Sequence, residues 1–292
     1  MKIARFNAGR IGVVLDEGVV DVTDAAGVRP ADWPPIGPVA MIRNFALLRS
    51  AIEAQSKVGT PIPFSEVHFE TPIPWPHKLI AIPVNYEAHA IEMSSPAISR
   101  NAGFFMKSSG SLAGASDDIV LPDLPGREIH HEAELAVIIG KGGRHIPVGQ
   151  ALEHVFGYAC LLDMTVRGKQ ERTIRKSYDT FTPVGPYITT ADEVGDPTNL
   201  QVTLRVNDQV RQDANTRKMF MSVAELIEMC SSVTTLEAGD IIATGTGEGV
   251  GPVFPGDVVS ISISRVGEMR IGVRQGEGGG NIAIPHRLLN ID

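Results

Sequence analysis

The sequence predicts a β-rich α+β fold, a mixed β-roll or barrel-like core that carries a small N-terminal domain. Three observations predict it. Short apolar segments rich in Val and Ile recur after Leu79, separated by Gly, Pro, Asn and Asp. Helical periodicity is confined to a few brief stretches, which opposes a doubly wound sheet. A proline-rich passage, Pro61, Pro63, Pro72, Pro74 and Pro76, marks a boundary. It separates residues 1–73, the small N-terminal domain, from residues 74–292, the β-roll domain.

In the first unit, Ile3–Phe6, Ile11–Val14 and Val19–Val22 read as strands. Ala40–Ala54 reads as a helix, with an uneven apolar stripe at Ile42, Phe45, Leu47, Leu48 and Ile52. In the second unit, strands are expected at Leu79–Ile82, Phe104–Lys107, Ile119–Leu121, Glu132–Ile139 and Phe156–Asp163. Further strands follow at Tyr187–Thr189, Gln201–Val206, Ile241–Thr244, Val258–Ile263 and Met269–Val273. Helices are expected around Tyr86–Met93, Pro147–Glu153, Met164–Lys176 and Ser222–Ser231. Asn207-Asp208 is a hairpin-turn signal. Gly276–Gly280 reads as a mobile tail segment. No internal repeat is present.

Composition narrows the function classes. The chain has 292 residues, 43% hydrophobic and 21% charged, within the range of soluble globular proteins. A net charge of −8 opposes a general nucleic-acid binder, which needs a basic surface. An acidic substrate would therefore need a local positive pocket. Two cysteines, Cys160 and Cys230, are too few for a cysteine metal site and read as buried, reduced thiols. No apolar stretch approaches a membrane span, and the first residues lack a secretory apolar core. The expectation is a soluble, cytoplasmic protein.

The chemistry concentrates in His130-His131-Glu132-Ala133-Glu134-Leu135. Strand alternation puts Glu132 and Glu134 on one face, followed there by Ala136 and Ile138. Two carboxylates at the edge of a buried face repel each other. Either their pKa values rise or a cation sits between them. A second apolar run ends in another acid, Asp163. Three oxygen ligands from two strand ends suit a hard divalent cation such as Mg²⁺. A solvated acidic strand edge is the bland alternative, and the apolar runs beside these acids oppose it.

Three further segments join the candidates. His89 and Glu92 stand three residues apart, so a helix puts them on one face, where the carboxylate can orient an imidazole base. A surface pair with no role is the commoner reading of such spacing. Met164–Lys176 is strongly cationic; most of it reads as a solvated face. Lys176 differs, because the turn-rich segment after it can return it to the acids, where it would stabilise an enolate or a carboxylate. Thr244–Pro252 lacks the spacing and the Lys-Ser/Thr of a phosphate loop. It reads instead as a substrate loop offering N–H groups and the Thr246 hydroxyl to an anion.

As an ordered set, these pieces resemble the fumarylacetoacetate hydrolase superfamily, and within it the acylpyruvate hydrolase and oxaloacetate decarboxylase branch. The matching pieces are Asn85-Tyr86-x-x-His89-x-x-Glu92, Phe105-Met106-Lys107 and His130-His131-Glu132-x-Glu134-Leu135. Gly157-Tyr158, Asp163-Met164-Thr165, Gln170, Lys176-Ser177, Gly185-Pro186, Gly239-Asp240 and Thr244-Gly245-Thr246 continue it in order. The resemblance implies Mg²⁺ or Mn²⁺ held by Glu132, Glu134 and Asp163, and a lid helix carrying the His89–Glu92 dyad. It implies substrate contacts from Tyr86, Lys107, Gln170, Lys176 and Thr246, and a homodimer. It also implies hydrolysis of a C–C bond in an acylpyruvate-type 2-oxo, 1,3-dicarbonyl acid, as in aromatic compound catabolism. The same site serves a decarboxylase or keto–enol isomerase of a 2-oxo diacid. A non-catalytic metal or organic-acid binder is the rival of another class. Two departures from the family pattern stand out. Pro83-Val84 precedes Asn85, without the arginine sometimes found there, and Gly247 replaces the usual proline after Thr246, which predicts a more mobile loop.

Overall fold

The computed structural model describes residues 1–95 and 98–276, so the glycine-rich tail beyond Gly276 lies outside the described residues. Its centre is an antiparallel pair, Ala133–Ile139 and Val155–Leu162, in which every residue is buried. Both strands are apolar along their length because both faces of the sheet are covered. Alternation then sorts their side chains into two cores. Leu135, Val137, Ile139, Tyr158, Cys160 and Leu162 enter one. Ala136, Ile138, Ala159 and Leu161 enter the other. Truncating such a side chain, Leu135→Ala for instance, costs about 2–5 kcal/mol.

Around this pair runs an eleven-stranded mixed sheet. Its main path is Gly18–Asp21, Arg10–Leu15, Lys2–Phe6, Thr182–Thr190, Val155–Leu162, Ala133–Ile139, Ile241–Thr246, Leu79–Ala81 and Phe105–Met106. A five-stranded sheet, Gln209–Asn215, Gln201–Val206, Val258–Ile263, Gly267–Gln275 and Ile119–Leu121, closes over the first core. Thr165–Val166, Ile129–His131 and Gly251–Pro252 form a small third sheet. This is the β-rich α+β architecture expected. The N-terminal strands are continuous with the main sheet: Lys2 pairs with Thr189 and Ala4 with Tyr187. Ile3, Ile11, Met41 and Ile52 share the second core with Ile138 and Leu161.

Several local readings change, each for a physical reason. The expected 40–54 helix is two helices, Gly37–Arg43 and Phe45–Val58, broken at Asn44. The stripe is uneven because Leu47 is 84% exposed while Ile52 is fully buried. The expected Met164–Lys176 helix shrinks to Arg172–Arg175; the β-branched Thr165 and Val166 join the third sheet instead. Glu132 separates the Ile129–His131 and Ala133–Ile139 strands, so the first acid sits at a break. Thr182–Thr190 is a nine-residue strand, although Pro183, Gly185 and Pro186 disguise it. Asn207 and Asp208 do make the hairpin turn, with φ of 49° and 65°, between paired Val206 and Gln209. The last expected helix runs over Val223–Val233, started by a capping box between Ser222 and Glu225.

Candidate active site

Glu132, Glu134 and Asp163 meet where the two central strands end. One carboxylate oxygen from each lies within 4.8 Å of the others, and all three residues are buried. Asp163 follows directly on Val155–Leu162, and its N–H bonds the Glu132 carbonyl at 2.9 Å, which ties the break to the strand end. Two lysines supply countercharge. Lys176 Nζ donates to Glu132 Oε2 at 2.7 Å and to Asp163 Oδ2 at 2.6 Å. Lys107 Nζ donates to the other Asp163 oxygen and to the Phe181 carbonyl at 3.1 Å. Arg167 approaches Glu132 at 3.3 Å.

The three acids are not equivalent. Burial and the neighbouring Asp163 carboxylate push Glu134 well above the usual range; its oxygen Oε2 accepts from the Gly245 N–H at 2.7 Å. Burial acts the same way on Glu132, but Lys176, Arg167 and His89 outweigh it and hold that carboxyl below the ordinary value. Burial opposes the charge of Lys176, yet Asp163 and Glu132 together raise its pKa. The cluster is thus short of positive charge at Glu134 and rich in it at Lys176. Hard, anionic oxygen donors crowded in this way fit a divalent cation of the Mg²⁺ or Mn²⁺ kind.

Above the acids lies a cavity of about 330 Å³, with Glu132, Glu134, Lys176, His89 and Thr246 on its wall. The lid helix Glu87–Glu92 roofs it. His89 Nδ1 stands 3.0 Å from Glu92 Oε2, and Glu92 Oε1 accepts from the Gly249 N–H at 3.0 Å. The dyad thus also ties the lid to the Thr246 loop. Asn85 roots the lid. Its amide donates to the carbonyls of Met221 and Thr244, and its Oδ1 accepts from the Ser99 hydroxyl and the Met221 N–H. The turn before it is strained: Val84 has φ of 43°, rare for a β-branched residue.

Not every residue expected on the substrate stands on this wall. Lys107 is buried behind Asp163 and acts as a buttress to the acids. Tyr86 is buried and lines a neighbouring cavity with Glu87 and Glu248. Gln170 is half-buried and is not part of the wall. Sequence reasoning missed Gln212. This buried residue accepts from the Ala133 N–H at 3.0 Å, sits 3.1 Å from His131 Nδ1, and donates to Thr246 Oγ1 at 2.8 Å and the Gly247 carbonyl at 3.1 Å. It fixes the Thr246 loop to the strand that bears Glu134. Gly247 is buried, and a Cβ there would lie 2.5 Å from Ala214 Cβ. Its missing side chain serves close packing of the loop. Gly245 has φ of +92°, which glycine adopts without strain, and turns its N–H onto Glu134.

A β-roll with three carboxylates at its strand ends, two lysines among them and an imidazole on the roof defines a class of enzyme built on an acidic triad with the donor set of a divalent-metal site. The Fumarylacetoacetate (FAA) hydrolase C-terminal family profile matches residues 78–274. This chain belongs to the fumarylacetoacetate hydrolase family. It is 42% identical over 286 residues to a maleylpyruvate hydrolase of Aquipseudomonas alcaligenes, covering 94% of this chain and 99% of that protein. It is 39% identical over 238 residues to a human mitochondrial oxaloacetate tautomerase, covering 77% of this chain and 74% of the relative. The crystal structure of maleylpyruvate hydrolase from Sphingobium sp. SYK-6, in complex with manganese(II) and pyruvate, matches at 51% identity with a TM-score of 0.88. That match covers 95% of this chain and 100% of the other.

Proposed function

We propose that this protein is a divalent-metal-dependent hydrolase that cleaves a C–C bond in an acylpyruvate-type 1,3-dicarbonyl acid. One observation carries the reading: the Glu132–Glu134–Asp163 triad, Lys176 and the His89–Glu92 dyad line or underlie one cavity. Similarity to maleylpyruvate hydrolases over nearly the whole chain supports it. The triad would hold Mg²⁺ or Mn²⁺, which supplies positive charge to the 2-oxo and carboxylate oxygens of the substrate's pyruvate end.

The chain's own groups do the rest. His89, oriented by Glu92, takes a proton from water. The resulting hydroxide attacks the distal carbonyl. The C–C bond breaks, its electron pair becomes the enolate of the pyruvate half, and Lys176 balances the growing charge on that half. A proton then returns to the enolate carbon. The Thr246 hydroxyl and loop N–H groups orient the substrate, and the closed lid keeps other water out. The protein works in the cytoplasm as a homodimer, in the breakdown of aromatic compounds. A keto–enol isomerase is the second reading, favoured by the similarity to oxaloacetate tautomerases.

The deciding experiment gives the Mg²⁺- or Mn²⁺-loaded enzyme a panel of acylpyruvates and 2-oxo diacids. Loss of enol absorbance is followed and the products are identified. Hydrolysis predicts two carboxylic acids in equal amounts. Release of CO₂, or enol–keto exchange with no cleavage, would replace the hydrolase reading by a decarboxylase or an isomerase.

A further inference from the structure

Gln212 lies between two kinds of backbone group, and together they leave its side-chain amide one orientation. One end faces the Ala133 N–H at 3.0 Å, which can only donate. The other end faces the carbonyls of Gly247 at 3.1 Å and Glu248 at 3.3 Å, which can only accept. A flipped amide would set N–H against N–H and oxygen against oxygen, so Oε1 belongs at Ala133 and Nε2 at the loop. His131 supports the same polarity. Its Nδ1 stands 3.1 Å from that Oε1 and so carries the ring hydrogen, while Nε2 is buried with no partner among the described residues. A bare ring nitrogen left alone in the interior is cheaper than an orphaned N–H.

Thr246 inherits a direction from this arrangement. Its Oγ1 lies 2.8 Å from Gln212 Nε2 and accepts from it. A hydroxyl that accepts keeps its one hydrogen for another partner, and among the described residues Thr246 has no acceptor for it. Thr246 is buried and stands on the wall of the active-site cavity. A hydroxyl free to turn meets a ligand as donor or acceptor; one held in this way meets it as donor. Hydrogen bonds to a charged oxygen are about twice as strong as neutral ones, so a fixed donor favours an anionic oxygen.

We infer that Gln212 is a positioning residue for the proposed reaction: a relay from the Ala133 N–H and His131 through Gln212 holds the Thr246 hydroxyl as a donor to an anionic oxygen of the ligand. The inference rests on the reading above that an organic anion occupies this cavity. The relay starts at the N–H between Glu132 and Glu134, so the strand that carries the acids also sets the polarity of the loop facing them.

Calorimetry of oxalate binding to the Mn²⁺-loaded protein tests this in a double-mutant cycle of Gln212→Glu and Thr246→Val. The new carboxylate still accepts from the Ala133 N–H but has no N–H for Thr246. The hydroxyl then turns its hydrogen to that carboxylate and is lost to the ligand. The added charge repels oxalate with or without the hydroxyl, and the cycle cancels it. We expect Gln212→Glu to weaken oxalate roughly tenfold more in the wild-type background than in the Thr246→Val background, the worth of one hydrogen bond to a charged group. Gln212→Leu adds no charge and should couple to Thr246 in the same sense. Equal factors in the two backgrounds would make Gln212 a packing residue only and overturn the proposal. Nitrogen NMR of the Mg²⁺-loaded wild type needs no variant: His131 should carry its hydrogen on Nδ1, and a form protonated on Nε2 alone would overturn the assigned polarity. Melting temperature and Mn²⁺ affinity check that fold and metal centre persist; where Gln212→Glu fails that check, Gln212→Leu and the NMR measurement carry the test. If wild type binds no oxalate, the anion reading of the cavity and the relay fall together. Coupling without hydrolysis of any acylpyruvate would leave the relay standing and overturn the hydrolase reading alone.

Discussion

The floor of the site and its roof are built to different standards. The floor stands at the ends of two wholly buried strands, and Asp163 alone receives Lys107 and Lys176. The roof is a six-residue helix with Ile91 73% exposed. One carboxylate oxygen of Glu92 ties its C-terminal end to the Gly249 N–H. So short a helix has little stability of its own and depends on such contacts. The contrast separates two tasks. The charged groups stand on the better-braced element, while His89 stands on the more lightly tied one, the arrangement the proposed reaction needs if His89 is its base and the roof opens to admit substrate.

Removing a floor acid should have the largest effect. Asp163→Ala should lower turnover at least ~10³-fold, since loss of even an outer-shell partner costs ~10–100-fold. It should also destabilise the fold by about 3–5 kcal/mol, because two buried ammonium groups lose their shared partner. Glu134→Gln sharpens the contrast within the floor. It should abolish turnover equally, yet raise the melting temperature in a chelator, since burial and Asp163 both oppose the Glu134 charge. A lower melting temperature for that variant would show that Glu134 is not the strained member of the triad.

The roof comes next. His89→Ala should cost ~10²–10⁴-fold in turnover with Mn²⁺ affinity unchanged. Full hydrolytic rate in this variant would remove the base from the lid. Gln212→Leu probes the joint between the floor and the Thr246 loop. It leaves the Ala133 N–H and the Thr246 hydroxyl without their partner, so we expect a loss of about 2 kcal/mol in denaturant unfolding. A fall in kcat/KM of roughly tenfold should accompany it. The smallest effect belongs away from both regions. Ile52→Val in the second core should cost about 1 kcal/mol and leave kinetics within about twofold. A large kinetic change there would mean that the N-terminal unit shapes the site.

The parts of this site that could be read from sequence are those with a one-dimensional signature. Glu132, Glu134 and Asp163 were legible because long apolar runs stop at them, and the fold class because such runs recur. Gln212 was not. It lies in Gln209–Asn215, a mostly exposed polar strand in which Gln212 and Ala214 face inward, so nothing in its neighbours marks it. Lys107 shows the same limit. The short strand Phe105–Met106 just before it brings it to Asp163, but only the fold decides that its side chain faces the acid and not the cavity. The cationic run before Lys176 reads, from sequence, mainly as a solvated helix face. Thr165 and Val166 chose the sheet, and that choice turned Arg167, Arg172 and Arg175 onto the cavity wall.

The pairing of Lys2 with Thr189 sets a timetable for synthesis. The opening strand of the chain has its central partner near residue 190, so it emerges from the ribosome long before that partner exists. At about 5–20 residues per second the wait is on the order of 10–40 s. Through that interval Ile3 and Phe6, buried in the finished protein, have the paired Arg10–Leu15 strand and later N-terminal segments to cover them. Closing so distant a strand pair is slow for any chain. A nascent-chain experiment should therefore find the first strand protected from protease only after the Thr182–Thr190 strand has cleared the exit tunnel.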